Sequence, residues 1–417
     1  MKKLKVVIIG AGVAGAILAR RLSCLADIEL HCLEKVQPDD HSEAGTGLNV
    51  GPNAIKALQL CDPELARLVS AQSLPWKSWR TSLTDGTVLS DLSLATVADN
   101  PGIRIRWSEL YAVLRDAGAG AIQYGCNITF IGASPKNPRQ TCVAWAQDGK
   151  LYRLDDIDLL VAGDGRYSAT RAAFSGLPKP HHIGVAILRT LVEDTSGGLI
   201  DDYEQWFNGP HRLLAFRVPP EHVYIAATFP LDKCEPVRDE WKAAAAMRAA
   251  YAPASGMPSP QVQWLLDAIC ANLGNSHWAR MQESEVLFAE PARQVMYLGD
   301  SAHGMAPTLG QGATQAIEDA CCAAMVIERE TANGRLEPRS WLNLIGEARR
   351  ERIRFVMALS VQATDTLLAG SDPVSGTRWK TETAFLKNLS RLFREPSLGQ
   401  KQRPDSISRP NHAHDHH

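Results

Sequence analysis

Residues 6–9, a short run of branched apolar side chains, lead directly into Gly10-Ala11-Gly12-Val13-Ala14-Gly15, and this junction constrains the chain more than any other feature. A run with no polar residue suits a strand buried on both faces of a parallel sheet. Helix formers follow over 12–25, and a second strand-like run over 28–33 ends at Glu34, so the chain opens as one βαβ unit. In the turn, Gly10 allows the tight bend, Gly12 lets backbone approach a pyrophosphate, and Gly15 lets the helix pack close to the sheet. The helix N-terminus offers free N–H groups and a partial positive charge to the anion. Glu34 stands about 20 residues beyond the glycines, where a ribose hydroxyl needs an acceptor. A carboxylate there, rather than a basic residue, fits the unphosphorylated ribose of FAD or NAD.

Composition limits the remaining classes. The 417 residues are 45% hydrophobic and 22% charged, as in a soluble globular protein of two intimately packed domains or one large domain with a C-terminal extension. A formal charge of -2 supplies no basic field for a nucleic-acid backbone, so no nucleic-acid partner is expected. Nine scattered cysteines without a CxxC pair suggest neither a zinc site nor a disulfide framework, and read as reduced thiols of a cytoplasmic protein. The adjacent Cys321 and Cys322 read as buried packing. The basic start before residues 6–19 is like a signal peptide, but three glycines interrupt the apolar run and Arg20-Arg21 follow it. No integral membrane segment, and a monomer or homodimer, are expected.

Further along, 45–60 reads as a Gly-rich loop entering a helix that Pro63 helps to end, and 107–119 as a helix. Two hairpin-like runs after 123 precede the apolar strand 158–162, and 183–229 alternates like an antiparallel sheet. A short strand at 295–298 precedes a long helix over 311–329. Over 340–369, Ile353, Val356, Met357, Val361 and Leu368 recur at helical spacing. Order is expected to fade beyond Ser371, and the histidine-rich end at 412–417 to be a disordered end rather than a metal site.

Two segments carry a family likeness. The first holds Gly163-Asp164-Gly165, Ser168 and Arg171; the second holds Gly299-Asp300, His303, Pro307, Gly310-Gln311-Gly312 and Glu318-Asp319. With the first glycine turn, they resemble the three signature regions of the single-component flavoprotein aromatic hydroxylases, which include the para-hydroxybenzoate, salicylate and alkylquinolone hydroxylases. The resemblance spans about residues 5–365. It implies an α/β fold: a Rossmann-like FAD-binding framework (1–175 and 286–330), an inserted antiparallel β-sheet substrate domain (176–285 with parts of 65–105), a C-terminal helical segment (331–370) and a poorly ordered tail (371–417).

The resemblance also assigns FAD contacts. Gly10, Gly12, Ala14, Gly15, Glu34 and Lys35 would serve the nucleotide end, with Gly47 and Arg106 nearby; Arg104 competes with Arg106 for a phosphate. Asp164 and Gly165 would approach the pyrophosphate and help nicotinamide dock, although Asp164 also reads as a turn residue. Asp300 would accept from a ribityl hydroxyl. Pro307, Gly310, Gln311, Gly312 and Ala313 would place a helix N-terminus at the pyrimidine end of the flavin ring. His303 either orients that loop or touches flavin or substrate. Ala162-Gly163 transposes the family's Gly-Ala, and Thr314 stands where the family commonly has Asn.

No second GxGxxG unit appears, so NADH or NADPH would dock transiently over one flavin. The implied reaction uses dioxygen, through a flavin hydroperoxide, to hydroxylate a small aromatic or N-heteroaromatic ring of hydroxybenzoate, hydroxypyridine or quinolone type. The protein must then supply a dry pocket and groups that favour the deprotonated substrate. Strand alternation over 211–218 puts His211, Leu213, Ala215 and Arg217 on one face, and Arg212, Leu214, Phe216 and Val218 on the other. With the first face in the pocket, Arg217 would pair with a carboxylate or phenolate and His211 would move a proton; the alternative is a solvent-facing strand edge. Tyr224 and His303 complete the catalytic candidates. A flavin-binding redox sensor without turnover, and a membrane-associated hydroxylase of a lipophilic quinone or quinolone, are the competing readings. Trp76-Lys77-Ser78-Trp79-Arg80-Thr81 does not match the Trp-x-Trp-x-Ile-Pro segment of flavin-dependent halogenases.

Overall fold

The computed structural model describes residues 3–40 and 46–399; Gly45 and the histidine-rich end at 412–417 lie outside the described residues. Leu4–Ile9 runs inside a six-stranded sheet ordered Ala289–Glu290, Val295–Tyr297, Leu159–Ala162, Leu4–Ile9, Ile28–Leu33, Ile122–Gln123. It pairs in parallel with both neighbours. Its alternation explains the missing polar residue: Val6 and Ile8 enter a core with the helices Val13–Leu22 and Gln311–Ala332, whereas Val7 and Ile9 enter a second core with Val143 and Trp145. The last two belong to a three-stranded antiparallel sheet, Asn127–Ala133, Thr141–Gln147 and Lys150–Ile157, where two hairpin-like runs were expected.

A seven-stranded sheet is ordered His277–Glu283, His181–Glu193, His222–Pro230, His211–Val218, Tyr203–Asn208, Ser78–Leu83, Val88–Ser93. All its pairings are antiparallel except that of Tyr203–Asn208 with Ser78–Leu83. On one face Leu188, Leu213, Ala215 and Ile225 share a core with the helices Ala244–Tyr251 and Pro260–Ala271. On the other, Ile187, Leu214, Phe216 and Tyr224 join the second core beside the six-stranded sheet.

Two local readings change. Within 45–60, Gly47–Val50 is a strand, paired antiparallel with Gly102–Arg106. Pro63 begins a new helix, Pro63–Ala71, capped by the Asp62 carboxylate accepting from the Leu65 N–H.

The expectation of a poorly ordered tail beyond Ser371 is corrected for the described residues. Helices Pro373–Lys380 and Thr383–Arg394 continue the fold, and Phe385, Leu389, Leu392 and Phe393 are buried in the second core. Their spacing is one apolar face of a helix, and Asp372 caps the first of the pair with Pro373 behind it. In Pro338–Ala363, Ile353 and Val356 are buried while Val361 faces solvent. No helix among the described residues is long and apolar enough to cross a membrane.

Candidate active site

Where Leu4–Ile9 meets Leu159–Ala162, two glycine turns touch. Gly10 has φ +90°, and a Cβ on it would stand 2.6 Å from the Gly163 carbonyl oxygen; one on Gly15 would stand 1.9 Å from the Gly10 carbonyl oxygen. The contact leaves room for a cavity of about 480 Å³ in front of the helix Val13–Leu22, lined by Gly10, Gly12, Glu34, Lys35, Arg115 and Asp164, among others. Glu34 is buried; its Oε2 accepts from the Ala11 N–H at 2.6 Å and its Oε1 from the Val36 N–H at 3.1 Å. Arg115 lies 3.8 Å from Glu34 and donates to the Ala11 carbonyl at 3.1 Å.

Asp164 is engaged locally, accepting from the Ser168 hydroxyl at 2.6 Å and from the Thr170 N–H and hydroxyl at 3.0 Å. It therefore fixes the turn through Gly165 (φ +76°) as well as lining the cavity. Arg106 pairs with Glu109 at 2.5 Å and lines neither this cavity nor the next; Trp107 and Tyr111 of the following helix do. Arg104 is buried elsewhere, donating to the Pro75 and Asp201 carbonyls. Of the three arginines 104, 106 and 115, Arg115 is the one that lines this cavity.

A second cavity, about 310 Å³, shares Gly12, Gly163, Gly165, Arg166 and Tyr111 with the first. It adds Ala14, Gly47, Asp300, Pro307, Gly312 and Ala313. Asp300 is half-exposed, with Arg166 at 3.8 Å. Gly310 is left-handed (φ +64°), and a Cβ there would press on the Asn49 amide at 2.6 Å. Gln311 points away, fully buried against Asn53 and Gln315. Thr314, at the position where the family has Asn, accepts from the Gly51 N–H at 2.9 Å and donates to the Gly310 carbonyl at 3.1 Å.

His303 lines none of these cavities. It is fully buried, its Nε2 2.7 Å from Asp319 Oδ2, which also accepts the Gly299 N–H at 2.8 Å. Beside it, Glu318 accepts from Arg349 at 2.8 Å and from Arg352 at 2.9 Å. Burial alone pushes both carboxyls up, but Arg352 and Arg349 bring Glu318 down to about 2, and His303 and Arg349 bring Asp319 down to about 2. This buried cluster fixes the turn carrying Asp300.

Beyond Pro307 a third cavity, about 120 Å³, opens under the seven-stranded sheet. Arg166, Arg189, Arg212, Arg280, Tyr203 and Tyr224 contribute to its lining, which among the described residues holds no carboxylate. The alternation over 211–218 holds, but the other face meets the cavity. His211 lies on the helix-covered face, its ring edge-on to Phe229 and Tyr251. Arg217 sits near the strand end, 3.1 Å from Asp194. Arg212 rather than Arg217 lines the cavity, and Tyr224 lines it too. Burial pushes the Tyr224 phenol up to about 12. Each face of this strand mixes apolar side chains with at least one basic residue, so alternation separates them without saying which meets the cavity. Arg115 and Arg189 have no local sequence signal either; tertiary placement alone selects them.

No protein-family model matches the chain. It is 27% identical over 361 residues to 2-heptyl-3-hydroxy-4(1H)-quinolone synthase of Pseudomonas aeruginosa, covering 84% of this chain and 86% of that protein. A salicylate hydroxylase of Pseudomonas putida is 27% identical over 421 residues (94% and 91% covered), and 6-hydroxynicotinate 3-monooxygenase of Pseudomonas fluorescens 25% over 346 (79% and 84%). Among solved structures, Klebsiella pneumoniae HpxO complexed with FAD and uric acid superposes with a TM-score of 0.72 at 22% identity, covering 93% of each chain. P. aeruginosa PqsL in complex with 2-aminobenzoylacetate gives 0.71 at 14% identity, covering 93% and 99%. By sequence and by fold, the chain is a relative of the single-component FAD-dependent aromatic hydroxylases.

Proposed function

We propose that the chain is an FAD-dependent monooxygenase that uses NADH or NADPH and dioxygen to hydroxylate a small aromatic or N-heteroaromatic ring. The observation that carries this reading is the line of cavities from the Gly10–Gly15 turn, past Asp300 and Pro307, to the face of the seven-stranded sheet. The six-stranded sheet is then a Rossmann-like framework, and the seven-stranded sheet the inserted substrate domain. A dinucleotide fits where the two glycine turns leave no room for side chains, with a carboxylate at one end and a helix N-terminus beside it.

Glu34 and Arg115 would hold the nucleotide end, Asp300 the ribityl chain, and the 307–313 turn the ring system. Bound FAD would supply the redox chemistry that couples reduced nicotinamide and dioxygen to the substrate. The chain supplies the rest. Ile187, Leu214 and Ala226 give the third cavity its apolar wall beside the arginines. Arg189 favours an ionised ring hydroxyl, while Tyr224, neutral through burial, keeps its own hydroxyl proton for a hydrogen bond to a substrate oxygen.

The test is NADH and NADPH oxidation by the FAD-loaded protein across hydroxylated benzoates, pyridines and quinolones, with products weighed by mass spectrometry. Oxidation stimulated by one ring, with a product heavier by one oxygen, supports the reading. Flavin binding with no ring-stimulated oxidation across the panel counts against it.

A further inference from the structure

A fourth cavity, about 270 Å³, lies where the last two strands of the seven-stranded sheet, Ser78–Leu83 and Val88–Ser93, meet the C-terminal helices Pro373–Lys380 and Thr383–Arg394. Its wall combines apolar side chains such as Phe207, Leu92 and Leu386 with the cations Arg212 and Lys380. Arg212 lines this cavity and the one beyond Pro307 alike, so its guanidinium belongs to the wall between them.

Arg212 is unlike the other buried arginines. Arg349 and Arg352 are each matched by Glu318. Arg212 is 3% exposed, its Nε has no hydrogen-bond partner, and no carboxylate among the described residues pairs with it. The titratable groups that favour its charge are Tyr203, Tyr224 and Tyr251, none of them a carboxylate. Lys380 donates to the Ala363 carbonyl and the Thr366 hydroxyl at 3.0 Å and pairs with Asp365 at 2.7 Å. Burial pushes its ammonium pKa down against the pull of Asp365, and the charge of Arg212 adds to that push. One carboxylate therefore stands against two cations. Asp91, at the same cavity, is taken by Arg80 at 2.7 Å. A buried guanidinium without a counter-ion is costly unless a ligand supplies one.

Building on the hydroxylase reading, we propose that the substrate is an aromatic ring bearing a flexible, carboxylate-terminated side arm, with the ring in the cavity beyond Pro307 and the carboxylate between Arg212 and Lys380. A carboxylate attached directly to the ring can meet Arg212 but leaves Lys380 and the fourth cavity unused. A short methylene arm fills that cavity against Phe207 and Leu386 and gives the two cations a second anion beside Asp365.

Titration calorimetry on the FAD-loaded protein tests this with three probes: 3-(4-hydroxyphenyl)propanoate, 4-hydroxybenzoate and 4-propylphenol. The propanoate is expected to bind about tenfold or more tightly than either of the others. Arg212→Gln and Lys380→Gln each remove that advantage, leaving 4-propylphenol within about twofold, whereas Lys380→Arg retains it. Comparable affinity for 4-propylphenol or 4-hydroxybenzoate, no binding of the propanoate, or selectivity unchanged in Lys380→Gln overturns the proposal. Tight propanoate binding with no stimulated nicotinamide oxidation by any ring supports the anion site while sinking the hydroxylase reading. Turnover confined to rings without an acidic arm does the reverse.

Discussion

Arg349, on the helix Pro338–Ala363, reaches Asp319 on the helix Gln311–Ala332 with Nε 2.7 Å from Oδ1, and both side chains are fully buried. The same guanidinium donates to Glu318 at 2.8 Å and Gln315 at 2.6 Å. Asp319 in turn holds the Gly299 N–H, so one ion pair ties a C-terminal helix to the turn that presents Asp300 to the cavity.

Arg349→Met leaves two buried carboxylates short of a counter-charge. Breaking such a pair from one side costs about 3–5 kcal/mol. Urea unfolding should report that loss, together with weaker FAD retention as the Asp300 turn loosens. Arg354→Met, at an exposed position, should change stability by less than about 0.5 kcal/mol.

Acid should act through the same cluster. Glu318 and Asp319 are held at about 2, against ordinary values of 4.5 and 3.8. With the folded values depressed, the unfolded chain takes up protons first, so the stabilisation is complete above about pH 5 and is lost as pH falls through 4 towards 2. Thermal melts across that range should show a steep fall in the parent protein and a shallower one in Arg349→Met.

Gly10→Ala places a Cβ against the Gly163 backbone at a φ of +90°. Neither turn can yield without parting two parallel strands. FAD affinity is expected to drop by about tenfold or more, roughly 1.4 kcal/mol, in a flavin fluorescence titration. Unchanged affinity would separate the glycine turn from the cofactor.

His211→Asn should leave substrate-stimulated nicotinamide oxidation within about twofold, because the imidazole packs on Phe229 and Tyr251 away from the cavity. Its cost falls on stability, at about 1 kcal/mol. A large fall in turnover with an intact melting curve would return His211 to the site.

Deleting the chain from residue 372 removes Phe385, Leu389, Leu392 and Phe393, each buried side chain contributing about 1.5–3 kcal/mol. The truncated chain is expected to lose its cooperative melt or to aggregate. A shortened protein with an unchanged melting temperature would show that these helices add nothing to the core.

The opening βαβ unit is legible because its spacing answers to backbone geometry: a glycine at Gly10 and a carboxylate at Glu34 have few other uses at those positions. The turn at Pro307 to Gly312 is legible for the same reason. Arg115, Arg189 and Arg212 are not, since each is an ordinary arginine in an ordinary strand or helix until tertiary packing brings it to a cavity. The C-terminal helices are not read from the sequence, where order is expected to fade beyond Ser371, although Phe385, Leu389, Leu392 and Phe393 recur at helical spacing. Their packing partners, however, lie in the second core, far back in the chain.

Hydroxylation under isotopically labelled dioxygen tests the central claim most directly. The FAD-loaded protein, NADH or NADPH and an accepted ring should yield a hydroxylated product carrying one labelled oxygen, with none taken from labelled water. Product oxygen drawn from water, or oxidation of the ring with no oxygen gained, would contradict a monooxygenase.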